Sequence, residues 1–348
     1  MAKNLLYLAS LLMFFTSCEK VYTPKIETIQ GQLVVEARIT NDPFQNFVRL
    51  TKTTGFYSSQ LGEPVSGATI KLISTNGAIL RGKETITGYF TFSTIPAIGQ
   101  NYKLQILYNN DTYESEIVTM PPNPSITDLY SKTVTNKTYS LDGFGALVAN
   151  VETGRELYVD LPVTADLAHY RLNTRAVMEW VFYPPGGMGP PPPTHYGWQT
   201  YYAGGNFNLA GSKPFTQTGT IEKQPLMFLT YDTKALIADS IFSGWIVIMD
   251  QFGISQGSYD FHQKLNSQFS ADGSLFDPIE TQIYGNITCK TDPAKIAYGY
   301  FDLNSYRQYR YYLYFNGPDS KGVQREILRR PDIPFDGRRD TIPPSWWE

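Results

Sequence analysis

The chain has 348 residues, with 29 basic and 32 acidic side chains and a formal net charge of −3, so it lacks the basic excess that general nucleic-acid or anionic-surface binding requires. Its three histidines (His169, His195, His262) are far apart and its cysteines number only two, which leaves no short-spaced ligand set; no metal and no cofactor are expected. With 25 Tyr and 20 Phe, many Thr and Val, and 28 Gly and 23 Pro breaking the chain at short intervals, the composition predicts an all-β protein.

Residues 1–17 read as a lipoprotein signal peptide. Lys3 supplies one positive charge, and the apolar run from Leu5 to Phe15 is too short for a bilayer core, which needs about 20 residues. Thr16 and Ser17, both small, stand directly before Cys18, the arrangement of a bacterial lipobox, although Phe15 occupies a place where Leu is usual. A cysteine suits this position because its thiolate is the side-chain nucleophile able to take a diacylglyceryl group as a thioether. The alternative is an ordinary structural cysteine after an uncleaved helix; the charge, the apolar run and the short length favour lipidation. With Cys18 acylated, Cys289 has no partner within the chain, and stability must come from the core. Loss of Lys3 with the signal takes the formal net charge from −3 to −4, so attachment to the membrane is covalent, not electrostatic.

Residues 18–28 form a tether, and 29–120 are expected to be a β-sandwich domain. Its predicted strands include 33–39, 47–50, 65–72 and 102–108. In the last of these Tyr102, Leu104, Ile106 and Tyr108 share a face by the period of two. Asn76-Gly77 marks a hairpin turn because both turn residues must tolerate positive φ. About seven short strands in some 90 residues is the pattern of a sandwich. The spaced segments "PVSGATIKL", "GYF" and "GQNYKLQI" resemble the transthyretin-like, carboxypeptidase-regulatory-like and Ig-like sandwiches.

Three prolines within 120–124 set the expected boundary, since proline disfavours both helix and central strand. A second, larger and mainly-β domain is expected over 121–316, with strands at 156–162, 176–183, 226–231, 245–249, 280–288, 297–303 and 309–315. A short helical insertion is predicted at about 255–269, where Tyr259, His262, Leu265 and Phe269 recur at helical spacing. Residues 184–205 read as a Pro-rich loop. Its proline run adopts an extended shape at low entropic cost and can hold Tyr196, Trp198, Tyr201 and Tyr202 outward, to stack on a sugar or anchor a partner. The other reading is a loop whose aromatics fold back on the body. The stretch 306–315 interleaves Arg and Tyr, yet its alternation fits a strand with Tyr309, Tyr311, Leu313 and Phe315 inward and Arg310, Tyr312 and Tyr314 outward. Residues 317–348 are a C-terminal tail without a packed pattern.

Gly253-Ile-Ser-Gln-Gly257 spells G-x-S-x-G between an apolar strand and a helix, the setting of a nucleophile elbow. The one later histidine, His262, lies seven residues on, on the same predicted helix, and no alternating βαβ pattern surrounds it. Ser255 is better read as the helix N-cap. No catalytic residue is assigned.

Read together, the lipobox, "LVVEARIT", "PVSGATIKL", "GYF", "YESEIVTMPPNPSITDL" and "LFDPIETQIYGNITCKTDPAKIAYGYFDL" resemble the Bacteroidetes outer-membrane lipoproteins collected as domain of unknown function family 4249. The resemblance implies a lipoprotein often encoded beside a TonB-dependent receptor and carries no catalytic residue to transfer. The expectation is a non-enzymatic outer-membrane lipoprotein, anchored through Cys18, with the cell surface favoured over the periplasmic face. It would serve as an accessory or ligand-binding partner of a TonB-dependent transporter. A surface glycan-binding module using Trp198 and its neighbouring tyrosines, and a serine hydrolase built on Ser255, are the alternatives.

Overall fold

The computed structural model describes residues 31–55, 61–182, 195–212, 218–230, 240–270, 282–314 and 320–321, with the backbone alone at 179–182, 195–199, 230, 240–244, 314 and 320–321. The signal segment, the whole tether with Cys18, the run 183–194 and residues 322–348 lie outside the described residues. In chain order the strands are β1 (Leu33–Thr40), β2 (Phe47–Lys52), β3 (Thr69–Ser74), β4 (Ile79–Arg81), β5 (Lys83–Ile86), β6 (Tyr89–Thr91), β7 (Asn101–Tyr108), β8 (Asp111–Ser115), β9 (Val118–Thr119), β10 (Asp128–Leu141), β11 (Leu147–Val163), β12 (His169–Phe182), β13 (His195–Tyr202), β14 (Asn208–Gly211), β15 (Gly219–Thr230) and β16 (Ser240–Ile254). Helix α1 (Gln256–Phe269) follows, then β17 (Ile287–Cys289), β18 (Ala297–Tyr314) and β19 (Ser320–Lys321). The protein is all-β in class.

One long sheet, ordered β13-β12-β16-β18-β1-β2-β6-β5, organises the molecule, and two smaller sheets pack on one of its faces. At one end, Val35, Ala37, Ile39, Phe301 and Leu303 meet Ile70, Leu72, Leu104, Ile106 and Tyr113 of the sheet ordered β17-β8-β7-β3-β4. At the other end, Leu172, Ala176, Met178, Val247, Met249, Tyr311 and Leu313 meet Leu157, Val159, Leu161 and Leu226 of the sheet ordered β10-β11-β15. Burial of such side chains is worth roughly 1.5–3 kcal/mol each, which is how two cores form without a disulfide.

Strand β18 joins the two cores. It runs parallel to β1, with Leu33 opposite Ala297 and Thr40 opposite Asn304, and antiparallel to β16, with Ser305 opposite Gly253. The predicted strands 297–303 and 309–315 are therefore parts of one 18-residue strand. Their inward residues have the same parity, so one unbroken strand lends its first half to the first core and its second half to the other. The sandwich begun by residues 33–120 is completed from the far end of the chain by β17 and β18, and Cys289 is buried in that first core.

Local chemistry accounts for the turns. Gly77 takes φ +90° in the β3–β4 hairpin, and Asn109 and Asn110 take φ 48° and 65° between β7 and β8, the two positive-φ positions that a tight hairpin demands. Three expectations need correction. Residues 195–202, placed in a loop, form β13 along β12, because the chain there supplies a β-rich aromatic run that satisfies its backbone on an open edge. Within the predicted strand 280–288, residues 282–286 are not strand and pairing starts at Ile287. Tyr312, expected outward, is buried, and so is Ile246 opposite it: this part of the long sheet is covered on both faces.

Candidate functional site

Alternation along the strands decides what lies on the outer face of the long sheet. On β12, Tyr170 and Leu172 enter the second core, so Arg171, Asn173 and Arg175 point the other way. The register sets Phe252 of β16 opposite Arg171 and Tyr306 of β18 opposite Phe252. Four residues before Tyr306, Asp302 stands opposite Arg38 of β1. Helix α1 lies over this polar face and is laid down by its own N-cap: Ser255 Oγ accepts from Ser258 N at 3.2 Å. Of the residues expected on one face by their spacing, His262 is buried, together with Ser258, while Phe269 is 66% exposed. A polar sheet face is answered by a polar helix face.

Beneath the helix sits a buried ionic cluster. Asp302 and Arg171 are each 6% exposed. His262 Nδ1 donates to the Ser258 carbonyl at 2.8 Å, which leaves Nε2 to accept from Arg171 Nη1 at 2.8 Å. Arg171 Nη1 also lies 3.4 Å from Asp302 Oδ2, and Ser258 Oγ donates to Asp302 Oδ1. Burial holds His262 below its ordinary pKa; the Arg171 charge pushes the same way, while Asp302 and the Ser258 carbonyl oppose. The imidazole is thus neutral at pH 7. Nearby, the Arg38 guanidinium is fastened to the 3-10 turn at Pro43–Gln45 through Nε to the Gln45 carbonyl and Nη2 to Gln45 Oε1, both 3.2 Å. It lies 4.9 Å from the Phe47 ring centroid and 5.2 Å from that of Phe252, while Arg171 lies 4.9 Å from Phe252. Burial and the neighbouring Arg171 charge both lower the Arg38 pKa from its ordinary value.

A cleft of about 720 Å³ opens beside this cluster, lined by Arg38, Arg171, His262 and Asp302, by Tyr298, Gly299 and Tyr300 of β18, and by the apolar Val34, Phe207, Phe261, Leu265 and Ile283. Its size is that of a small-molecule site. Gly299 brings the walls together: it takes φ +89°, and a Cβ there would lie 2.0 Å from the Val35 carbonyl oxygen.

The serine motif is a packing device. A Cβ on Gly253 would stand 2.5 Å from Ser305 Oγ, and one on Gly257 would stand 2.8 Å from the Tyr300 hydroxyl. Ser255 caps α1 and bonds the Tyr300 phenol, whose pKa is raised chiefly by burial. Among the described residues no hydrogen bond joins Ser255 to a histidine. Ser258, which does adjoin His262, donates its hydroxyl proton to Asp302, and His262 Nε2 accepts from Arg171.

The aromatic residues singled out from the sequence lie elsewhere. Tyr196 and Trp198 stand on β13, with side chains outside the described set. Tyr201 packs edge-on against Trp245 at 5.0 Å, turned into the second core, whereas Tyr202 is 74% exposed. Tyr202 lines a second cleft of about 440 Å³ with Asn206, Asn208, Arg175 and Asp250. There Arg175 is matched by Asp250 at 2.7 Å. A third outward feature is the tip of the β10–β11 hairpin, where Leu141, Phe144 and Leu147 are 69%, 99% and 68% exposed. Sequence reasoning missed Arg38, Arg171 and Asp302 as a group; their signal was only the alternation that turns each away from a core.

The fold and the cleft define an all-β protein in which two sandwiches share one sheet and a charged cleft occupies the outer face of that sheet. The chain belongs to the family described as "Domain of unknown function (DUF4249)", whose model matches residues 19–310. No curated protein and no solved structure matches it. No helix among the described residues is long and apolar enough to cross a membrane.

Proposed function

We propose that this protein is a non-enzymatic, lipid-anchored capture protein of the outer membrane that holds a small ligand for a TonB-dependent transporter. The cleft carries the reading: it has the volume of a ligand site, a buried charged floor and apolar walls, and its serine and histidine are tied into structural bonds. The anchor rests on Cys18 and the apolar run before it. Acylation there keeps the body within reach of the bilayer, on the cell surface in preference to the periplasmic face. The exposed apolar tip at Phe144 is the surface offered to the transporter barrel. Palmitate labelling of the wild type, lost in Cys18→Ala, and recovery of a barrel from mild-detergent membranes, reduced in Phe144→Ser, are the expected results. An unlabelled wild type, or a preparation free of any barrel, would remove the proposal.

A second reading is favoured by Tyr202, an exposed aromatic beside amide and charged side chains in the smaller cleft, a combination suited to a sugar face. It makes the protein a surface glycan-binding module using Tyr202 with Tyr196 and Trp198, Tyr201 being turned into the second core. A glycan array that stays blank for the purified chain would dismiss it.

A further inference from the structure

We propose that the larger cleft takes a singly charged carboxylate on an apolar body, held through the unengaged edge of Arg171. This deepens, and rests on, the ligand-capture reading. Arg171 is 6% exposed and lines the cleft, and its Nη1 is committed to His262 and Asp302. Its Nε is buried and has no hydrogen-bond partner among the described residues. In a guanidinium, Nε shares an edge with Nη2, and the two parallel N–H groups of that edge match the two oxygens of a carboxylate. Nε itself has almost no exposed surface, so an acceptor must displace the packing against it to reach it; because a buried donor left unanswered is costly, one that does so gains affinity.

The charge count selects a monoanion. Arg38 and Arg171 face one carboxylate, Asp302, while Glu36 on the same wall is engaged by Arg49. His262 counts as neutral, since its Nδ1 donates to the Ser258 carbonyl and its Nε2 accepts from Arg171. One positive charge therefore remains, which a carboxylate completes and a phosphate dianion exceeds, close to Asp302 in a site with little water to screen it. Phe47 and Phe252 hold the guanidinium planes, so little side-chain freedom is lost on binding. Val34, Phe207, Phe261 and Leu265 receive the apolar body.

The test is titration calorimetry of the full chain in detergent with 4-phenylbutyrate, 4-phenylbutyramide and phenyl phosphate, to about 10 mM. The acid should bind at least about tenfold more tightly than the amide, the loss expected for a charge-assisted pair, and more tightly than phenyl phosphate. Arg171→Lys keeps the charge but not the fork, and should weaken the acid by about tenfold while leaving the amide unchanged. If that variant does not fold, the half-buried Arg38→Gln should weaken the acid selectively. Equal binding of acid and amide, tightest binding of phenyl phosphate, or no binding of the acid would each overturn the assignment. These results are separable from the broader reading: acid and amide binding equally leaves capture intact, whereas a missing barrel removes the transporter and leaves the acid preference standing.

Discussion

Asp302→Ala removes the carboxylate that pairs with Arg171 and stands opposite Arg38 in register, and tests whether the cluster beneath α1 acts as a unit. Asp302 and Arg171 are both 6% exposed, so deleting the anion strands a buried guanidinium, a loss of about 3–5 kcal/mol. The freed Ser258 hydroxyl, which donates to Asp302, adds about 1 kcal/mol. With a urea slope of about 2–3 kcal/mol per M, the midpoint should fall by roughly 1.3–3 M. The same physics predicts that Asp302→Leu combined with Arg171→Met costs less than Asp302→Ala alone, because replacing both charges removes the desolvation problem that removing one creates. Urea unfolding followed by near-UV circular dichroism reads both quantities. An Asp302→Ala loss below about 1 kcal/mol, or a double variant as unstable as the sum of its singles, would refute the argument.

Gly299→Ala should cost more than the roughly 1–2 kcal/mol of a left-handed residue, since its Cβ would also lie 2.0 Å from the Val35 carbonyl oxygen and force β1 from β18; a thermal melt within error of wild type would contradict this. Ser255→Ala should lower stability by about 1 kcal/mol through the lost cap and leave turnover of a p-nitrophenyl ester unchanged; a fall in such turnover would revive the nucleophile. Stability should also decline as pH drops below about 6.5. The pKa of His262 is depressed in the folded state, so the unfolded chain binds the proton first; its contribution is complete above the unfolded pKa and is lost as pH falls toward the folded one. His169, also depressed by burial, acts with the same sign, so His262→Gln should flatten the slope of Tm between about pH 7.5 and 5.5 only in part, and an unchanged slope would rule His262 out.

Much of the fold was legible because its signals are local. Tyr102, Leu104 and Ile106 alternate inward on β7, the Asn76-Gly77 turn closes a hairpin, and α1 begins after Ser255, as the spacing predicts. Two errors came from asking local pattern a nonlocal question. The Pro/aromatic stretch read as a loop, yet its second half finds an open edge of β12. The spacing put Phe269 on one face of α1 with His262, yet the helix buries Ser258 with His262 and leaves Phe269 exposed, because the surface it meets carries Arg171 and Asp302. The cleft was not legible at all: Arg38, Arg171 and Asp302 each read as an ordinary outward residue.

By itself the amino-acid order determined the class and the cadence of this protein. Period-two alternation, aromatic and β-branched content and Gly/Asn turns are properties of a few neighbouring residues, and they permit little besides strands. Only the tertiary structure decided that β1 lies parallel to β18. That pairing, across some 264 positions between Leu33 and Ala297, makes two sandwiches share a sheet and sets Arg38 opposite Asp302. Strand register is chosen by the burial of whole faces, which no short window contains, and Arg38 and the Arg171–Asp302 pair meet on one face here only because that choice brings their strands together.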